Sequence, residues 1–137
     1  MGNEGGGGKR QARVLKGFRD YMPEQMILRQ RIITIFRGIF EQHGFEPLDT
    51  PALEYLDVLT GKAGENEKLM YQFEDAGGRL VGMRYDLTVP LARVVAQHQN
   101  ELALPFKRYH IAPVWRAENP PRGRFREFWQ GDADIAG

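Results

Sequence analysis

Two long runs of strand-forming residues near the C-terminus constrain the fold more than any other feature. The runs cover residues 106 to 116 and 126 to 135, and both are rich in aromatic and β-branched side chains. Between them, residues 117 to 125 contain two prolines, a glycine and two arginines. Two strands joined by such a short loop pair in the antiparallel direction. The sequence therefore predicts a long antiparallel hairpin with a charged loop.

The pairing register decides which side chains of this hairpin share a surface. Side chains alternate between the two faces of a strand, so Phe128, Gln130 and Asp134 point to one side. On the preceding strand, Arg108 and Arg116 share a face. If even-numbered residues pair with even-numbered ones, Arg116 joins the first three on a single surface. Both tryptophans then face the opposite side, where we expect them to pack.

That surface combines a guanidinium, an aromatic ring, an amide and a carboxylate, while Glu118, Arg122 and Arg124 project from the loop. Arginine binds phosphate through two parallel hydrogen bonds, and an aromatic ring stacks on a base. The set suits a nucleoside triphosphate beside a small zwitterion. The alternative is a solvated hairpin whose charges form surface salt bridges, and periodicity alone does not separate the two interpretations.

A helix is predicted over residues 23 to 43. Pro23 suits the first helical position, and His43-Gly44 provides the glycine that commonly follows a helix end. Apolar residues recur inside it at helical spacing, and we interpret them as a face that packs on the core. They are Leu28, Ile32, Ile35, Phe36, Ile39 and Phe40.

The remaining elements are shorter. We predict a strand at 45–49, a helix at 53–59, strands at 68–74 and 79–85 around a tight turn, and a helix at 89–97 capped by Thr88. Asp75 is interpreted as a residue of that turn and Asp132 as an exposed strand carboxylate. For the three histidines we expect capping, surface or packing roles. Together these elements predict an α+β fold, with a mixed, mainly antiparallel sheet flanked by helices.

Composition excludes several classes of function. The 137 residues include 42% hydrophobic and 27% charged residues, as in soluble globular proteins. A net charge of +1 gives no support to nucleic-acid binding by charge alone, and the absence of cysteine excludes disulfides and Cys-ligated zinc. Because no apolar run reaches the length of a membrane span, we predict a cytoplasmic protein with no membrane association. Residues 1 to 11 are predicted to be a flexible glycine-rich leader before a single domain at 12–137.

The hairpin also carries a recognisable string of residues. Phe-Lys-Arg-Tyr at 106–109, Val-Trp-Arg-Ala-Glu at 114–118 and Gly-Arg-Phe-Arg-Glu-Phe-Trp-Gln at 123–130 resemble motif 2 of class II aminoacyl-tRNA synthetases, and the histidine-specific branch is the most similar. The N-terminal signature of that branch is echoed at 16–20, motif 1 at 44–51, and the histidine-binding stretch at 84–90. The resemblance implies a partial class II catalytic domain, with motif 1 at about 36–59 and motif 2 at about 105–136.

The resemblance implies ATP-dependent activation of histidine to histidyl-adenylate, followed by its ligation to tRNA(His). It further implies ATP as a substrate, Mg²⁺ bridging the phosphates through unassigned ligands, and a homodimer formed through motif 1. A second histidine-recognition segment, motif 3 and an anticodon-binding domain would complete such an enzyme. Because 137 residues contain none of these, we expect impaired activity in a chain of this length.

Individual roles follow from the same resemblance. Arg116 would be the catalytic residue, binding the α-phosphate of ATP and stabilising the charge that develops there. Glu118 would bind the adenine amino group, Phe128 would stack on adenine and Arg124 would hold the γ-phosphate.

The histidine substrate would be held by four other side chains. Asp86, Thr88 and Gln130 would bind its α-amino group, and Asp134 would face its imidazole.

Two alternatives to a ligase stay open at this point. A synthetase-like regulatory subunit of histidine biosynthesis would bind histidine without activating it, and the four histidine-binding residues fit that function equally well. A dimerisation fragment built on motif 1 would use the apolar face of the first helix. The four ATP-binding residues favour the ligase, because a protein that only senses histidine does not need them.

Overall fold

The computed structural model describes residues 10 to 60, 68 to 119 and 121 to 137. Nine helices and strands follow one another in these ranges: α1 Pro23–Gln42, β1 Glu46–Pro47, β2 Leu53–Tyr55, α2 Leu56–Thr60, β3 Gln72–Glu74, β4 Leu80–Met83, α3 Thr88–His98, β5 Phe106–Trp115 and β6 Glu127–Ala136. The described strands form two three-stranded sheets, in the orders β1-β5-β6 and β2-β4-β3. Only β1 and β5 pair in parallel, so the predicted α+β class is confirmed. The predicted leader falls largely outside the described residues.

Strands β5 and β6 form the long hairpin that the sequence predicts. Their register joins even-numbered residues to even-numbered ones, as in the pairs Val114 with Phe128 and Arg108 with Asp134. The backbone N–H of Arg116 continues this pairing beyond the strand by donating to the carbonyl of Arg126 at 2.8 Å. Arg116 therefore lies on the same face of the hairpin as Phe128, Gln130 and Asp134, as expected for a register that pairs even-numbered residues.

Helix α1 has almost the predicted bounds, but the interpretation of its apolar stripe as a core face is wrong. Within the described helix no residue is buried, and Ile35 is 62% exposed. The helix contacts β5 near its C-terminal end, where Phe40 stacks on Tyr109 with ring centroids 5.5 Å apart. Helical spacing shows that apolar residues share a face, but it does not show what covers that face.

The two tryptophans lie on the face opposite to Arg116, as predicted, but only one of them is buried. Trp115 is enclosed, and its indole N–H donates to Oε2 of Glu127 at 2.6 Å. Trp129 is 44% exposed, so the prediction that both pack is wrong for this residue.

The segment predicted as a helix at 53–59 begins as strand β2 and becomes helix α2 only at Leu56. Residues 53 to 55 pair antiparallel with β4, and tertiary pairing of this kind overrides a local helical preference. The predicted hairpin at 68–85 is confirmed with shorter strands. Asp75 lies in its turn, where its Oδ1 accepts hydrogen bonds from the backbone N–H groups of Gly77 and Arg79.

Helix α3 includes Thr88, and the prediction that Thr88 caps it is wrong. The first helical residue is Thr88 itself, and the N-cap residue Leu87 makes no side-chain capping hydrogen bond. The free backbone N–H of Val89 in the first turn instead donates to Oδ1 of Asp86 at 3.2 Å. A carboxylate suits this place because the first turn of a helix carries partial positive charge.

A buried arginine links three segments around the core. Arg84 is 3% exposed, and its Nη1 donates to the carbonyls of Thr50 at 2.8 Å and Pro51 at 3.3 Å. Its Nε donates to the carbonyl of Pro113 at 3.0 Å, and its guanidinium lies 5.6 Å from the ring centroid of Trp115. Arg84 therefore holds the end of β4 against β5 and against the loop that precedes β2.

The histidines occupy structural positions, as predicted. His43 is the C-cap residue of α1, and His98 pairs with Glu101. His110 is buried, with its Nε2 3.2 Å from Oδ1 of the exposed carboxylate of Asp49. In the ranges that the structure describes, no helix is long and apolar enough to cross a membrane.

Replacing Arg84 with methionine should lower the free energy of unfolding by about 3 kcal/mol, because buried carbonyls lose their donors. Chemical denaturation measures this change. Arg79→Met is the matched control, since Arg79 is an exposed residue that pairs with Asp75 in the β3–β4 turn. An equal shift of the denaturation midpoint in both variants would contradict the role given to Arg84.

The stability of the fold should fall between pH 7.5 and pH 5.5, partly because of His110. Burial lowers the pKa of His110, Asp49 raises it, and Arg84 and Arg108 lower it further. Below an ordinary histidine pKa of about 6.5, the unfolded chain takes up a proton that the folded protein resists. Denaturation at the two pH values should show a smaller loss of stability in His110→Gln than in the wild type. An identical loss in both proteins would refute this assignment.

Candidate functional site

A cleft of about 350 Å³ opens at the loop end of the β5–β6 hairpin. Its lining comes from the end of β5, the connecting loop and the start of β6. The lining residues are Arg116, Glu118, Pro121, Gly123, Arg124, Phe125 and Phe128. All four side chains that the sequence analysis assigned to ATP therefore line one cleft.

The guanidinium of Arg116 has a defined position in this cleft. It lies 5.0 Å from the ring centroid of Phe128, within the range of a cation–π interaction. Its Nε donates to the carbonyl of Tyr85 at 3.3 Å. The ring in turn packs on the core cluster of Leu87, Ala112 and Val114. Arg116 is thus oriented by a core-packed ring on one side and a backbone carbonyl on the other.

The loop presents Arg124 through a tight turn. The backbone N–H of Arg124 donates to the carbonyl of Pro121 at 3.0 Å, and Gly123 has a φ of +83°. Glycine suits this position because residues with a Cβ rarely adopt a positive φ. Glu118 and Arg124 are exposed, so their charged groups are accessible to a ligand.

Arg126 is not among the cleft-lining residues, but it holds the cleft loop in place, and its sequence pattern had suggested no such role. Its guanidinium donates to Oδ1 of Asn119 at 2.7 Å, to the carbonyl of Glu118 at 3.3 Å and to that of Lys16 at 3.4 Å. Its backbone N–H donates to the carbonyl of Gly17 at 2.7 Å. Arg126 therefore joins the cleft loop to the N-terminal segment. The alternation of the strand gave its face, but no local pattern indicated a contact across 110 residues.

Two of the four residues assigned to histidine, Gln130 and Asp134, lie further along the same face of the hairpin, whereas Asp86 and Thr88 lie before and at the start of α3. Asp134 pairs with Arg108, with Oδ2 and Nη1 3.2 Å apart. Gln130 lies between Phe128 and Asp134 in the alternation, and its Oε1 is buried without a hydrogen-bond partner among the described residues. Asp86 is half-buried, whereas Thr88 is exposed on the first turn of α3. Asp86 and Asp134 both interact electrostatically with Arg108, but Thr88 is placed only by its position in the chain.

Asp132 differs from its predicted role as an exposed strand carboxylate, because it is half-buried. Burial raises the pKa of the Asp132 carboxyl, and the neighbouring Arg108 guanidinium opposes that change. Burial likewise lowers the pKa of Arg108, and Asp134, Asp132 and Asp86 oppose it in that order. Three carboxylates therefore surround one buried guanidinium.

The described ranges contain no group of three or more histidine, aspartate or glutamate side chains arranged to hold a metal ion.

A family model described as Histidyl-tRNA synthetase matches residues 17 to 137. The chain belongs to the histidyl-tRNA synthetase family. Among curated members, the histidine–tRNA ligase of Rhodopirellula baltica is 59% identical over 128 residues, covering 93% of this chain and 29% of the relative. The ligase of Aeropyrum pernix is 55% identical over 125 residues, covering 89% of this chain and 28% of the relative. The chain thus spans less than a third of the length of these two family members.

Solved structures of the family share the fold. The histidyl-tRNA synthetase of Nostoc sp. PCC 7120 superposes with a TM-score of 0.80 at 35% identity, over 91% of this chain and 28% of that one. A Bacillus halodurans C protein is described as an ATP phosphoribosyltransferase regulatory subunit/histidyl-tRNA synthetase. It superposes with a TM-score of 0.76 at 25% identity, over 87% of this chain and 30% of that one. The resemblance found in motifs 1 and 2 is therefore confirmed for the family and for the class of fold.

The contact between the N-terminal segment and the cleft loop depends on Gly17. Its φ is +87°, and a Cβ there would lie 2.6 Å from Cδ of Arg126. Gly17→Ala should weaken the contact by about 1–2 kcal/mol, because the left-handed backbone conformation disfavours alanine. Hydrogen exchange at residues 15 to 18 and 124 to 126 should become faster.

Gly38→Ala provides the matched control. Gly38 lies inside α1, and a Cβ there would meet no atom within 4 Å. Alanine at this position should stabilise the helix by about 0.5–1 kcal/mol. Unchanged exchange at the cleft loop in Gly17→Ala would contradict the proposed contact.

Proposed function

We propose that this chain is the part of a histidine–tRNA ligase that binds ATP and histidine and joins them as histidyl-adenylate, the intermediate from which histidine passes to tRNA(His). The observation that supports this most directly is the cleft at the hairpin loop. There the Arg116 guanidinium lies beside the Phe128 ring, with Glu118 and Arg124 on the same lining. A stacking surface, one carboxylate and two guanidiniums match the parts of a nucleoside triphosphate.

Each group in the cleft has one part of ATP to bind. Phe128 offers a ring for the adenine, and Glu118 accepts a hydrogen bond from the adenine amino group. Arg116 then binds the α-phosphate, and the exposed Arg124 binds the γ-phosphate. The guanidinium of Arg116 is half-buried and oriented by Tyr85 and Phe128 before any ligand arrives, so little side-chain entropy is lost on binding.

The reaction needs positioning and positive charge more than acid–base chemistry. An oxygen of the histidine carboxylate attacks the α-phosphorus, forming a new P–O bond, and the P–O bond to pyrophosphate breaks. The carboxylate is already ionised at neutral pH, so no proton has to be removed from it. Arg116 stabilises the negative charge that develops on the α-phosphate oxygens.

Histidine binds beside the α-phosphate and is held by the four residues assigned to it, two on β6 and two before and at the start of α3. Asp86, Thr88 and Gln130 accept hydrogen bonds from the α-ammonium, and Asp134 faces the imidazole. Gln130 supports this assignment, because it shares a strand face with Asp134 and its Oε1 has no hydrogen-bond partner among the described residues. Mg²⁺ would be held by the oxygens of the triphosphate.

The assembly and the location of the protein are part of the same proposal. The exposed apolar face of α1 lies within and beside motif 1, and it suits the interface of a homodimer. We propose a cytoplasmic ligase that uses tRNA(His). A protein limited to these 137 residues should charge tRNA poorly, because they correspond to only 29% of the length of the Rhodopirellula baltica ligase.

A regulatory subunit that binds histidine without activating it is the second candidate, because one structural neighbour is described as an ATP phosphoribosyltransferase regulatory subunit/histidyl-tRNA synthetase. The four residues assigned to histidine binding fit this regulatory function as well as they fit a ligase. The assembled ATP side favours the ligase instead, since a sensor of histidine gains nothing from Glu118, Arg124 and Phe128 around one cleft. Calorimetry that shows histidine binding without ATP binding would support the second candidate.

Arg116→Ala in the full-length gene product should reduce histidine-dependent exchange of pyrophosphate into ATP by about 10²–10³-fold, the loss typical of one transition-state donor. Arg79→Ala, at an exposed arginine of the β3–β4 turn, should keep the wild-type rate. Equal rates in the wild type and Arg116→Ala would rule out the role given to Arg116.

A further inference from the structure

One arginine beneath the proposed histidine site has no role in the reaction as described. Arg108 lies on β5 and is 0% exposed, and among the described residues it is one of the largest side chains that are fully buried. Its Nε has no hydrogen-bond partner there. Burying a guanidinium costs desolvation energy, which its hydrogen bonds and nearby carboxylates offset. The segments that these contacts join therefore indicate what Arg108 holds in place.

The contacts of Arg108 join the two segments that carry the proposed histidine ligands. Its Nη2 donates to the carbonyl of Leu87 at 2.9 Å, and Leu87 is the residue between Asp86 and Thr88. Its Nη1 donates to the carbonyl of Asp132 at 3.1 Å, in the alternating run that also carries Gln130.

The same Nη1 also contacts a proposed ligand directly. It lies 3.2 Å from Oδ2 of Asp134, directly across the β5–β6 ladder. The side chain of Asp134 remains 45% exposed, so its carboxylate is accessible to a ligand while Arg108 holds it from beneath.

The positive charge of Arg108 also affects the neighbouring carboxylates. Asp134, Asp132 and Asp86 all interact with Arg108, so three carboxylates surround one cation. The group has a net charge of about −2 when all are ionised, which suits a substrate ammonium. Without the guanidinium, the three carboxylates would repel one another and move apart.

We propose that Arg108 is a positioning residue for histidine: it acts through Asp134 and through the Leu87 and Asp132 carbonyls to hold both sides of the amino-acid site at a fixed separation. This inference rests on the proposed function, because it assumes that the site takes histidine. It assigns Arg108 to the amino-acid side alone. The hydrogen bonds and the ion pair that Arg108 forms among the described residues reach Leu87, Asp132 and Asp134, and none of them reaches Arg116 or Phe128 on the ATP side.

Steady-state pyrophosphate exchange on the full-length gene product tests this assignment, with Arg108→Met and Arg108→Lys compared with the wild type. Arg108→Met removes the charge and every donor, and it should raise the KM for histidine by about tenfold or more. Arg108→Lys keeps the charge with fewer fixed donors, and its KM for histidine should lie between those of the wild type and Arg108→Met. The KM for ATP should stay within about twofold of the wild type in both variants.

Arg93→Met is the matched control for a loss of stability alone. Arg93 forms a part-buried ion pair with Glu54, with Nε and Oε1 2.9 Å apart, away from both sides of the proposed site. This variant should lower the melting temperature without changing either KM. If Arg108→Met does not fold, Arg108→Lys carries the comparison, with its folding checked by its melting curve.

Coupling to Asp134 provides a second measurement. Asp134→Asn and Arg108→Lys should be strongly non-additive in the KM for histidine, because one acts through the other. An unchanged KM for histidine in Arg108→Lys, or an equal rise of both KM values, would overturn the role of Arg108 while leaving the proposed function intact. A wild-type protein without histidine-dependent exchange would instead overturn the proposed function, and this inference with it.

Discussion

The register of the β5–β6 ladder is the constraint on which the candidate site depends. Because strand side chains alternate, a slip of one residue in either strand would move Arg116 to the opposite face from Phe128. The observed register, with Val114 opposite Phe128, keeps both on one surface with Gln130 and Asp134. Ten paired positions fix this register, so the alignment is maintained by the whole ladder instead of by the site.

Two buried arginines then connect this hairpin to the rest of the chain. Arg84 donates to carbonyls before β2 and on β5, and Arg108 donates to carbonyls before α3 and on β6. A guanidinium has five donors in a fixed plane, so one side chain can satisfy several backbone acceptors that regular pairing leaves open. In a small fold of short strands, such a side chain sets the separation of segments that no ladder joins. The price is a desolvated charge, which the nearby carboxylates offset in part.

Periodicity was sufficient to predict the long hairpin and α1, because ten or more residues repeat one pattern in each. It failed where partners distant in the chain decide the outcome. Residues 53 to 55 form a strand because they pair with β4. Asp86, instead of Thr88, accepts a hydrogen bond from a backbone N–H in the first turn of α3. Arg126 donates to the carbonyl of Lys16, which is 110 residues away in the chain. The grouping of Arg116 with Phe128 followed from alternation together with an assumed even-to-even register, whereas the roles of single residues came from resemblance to a family. Periodicity did not show that the α1 stripe is exposed, because it does not state what covers a face, and the resemblance offered a partner-facing stripe only as an open alternative.

The attachment of the N-terminal segment to Arg126 has a practical consequence. The carbonyl of Lys16 and that of Gly17 bond to the same residue that holds the Glu118 carbonyl and the Asn119 side chain at the base of the cleft loop. A carrier protein or affinity tag fused shortly before this segment would disturb the position of the cleft loop. Fusions for measuring ATP affinity are therefore better placed after a long spacer, or on another part of the polypeptide.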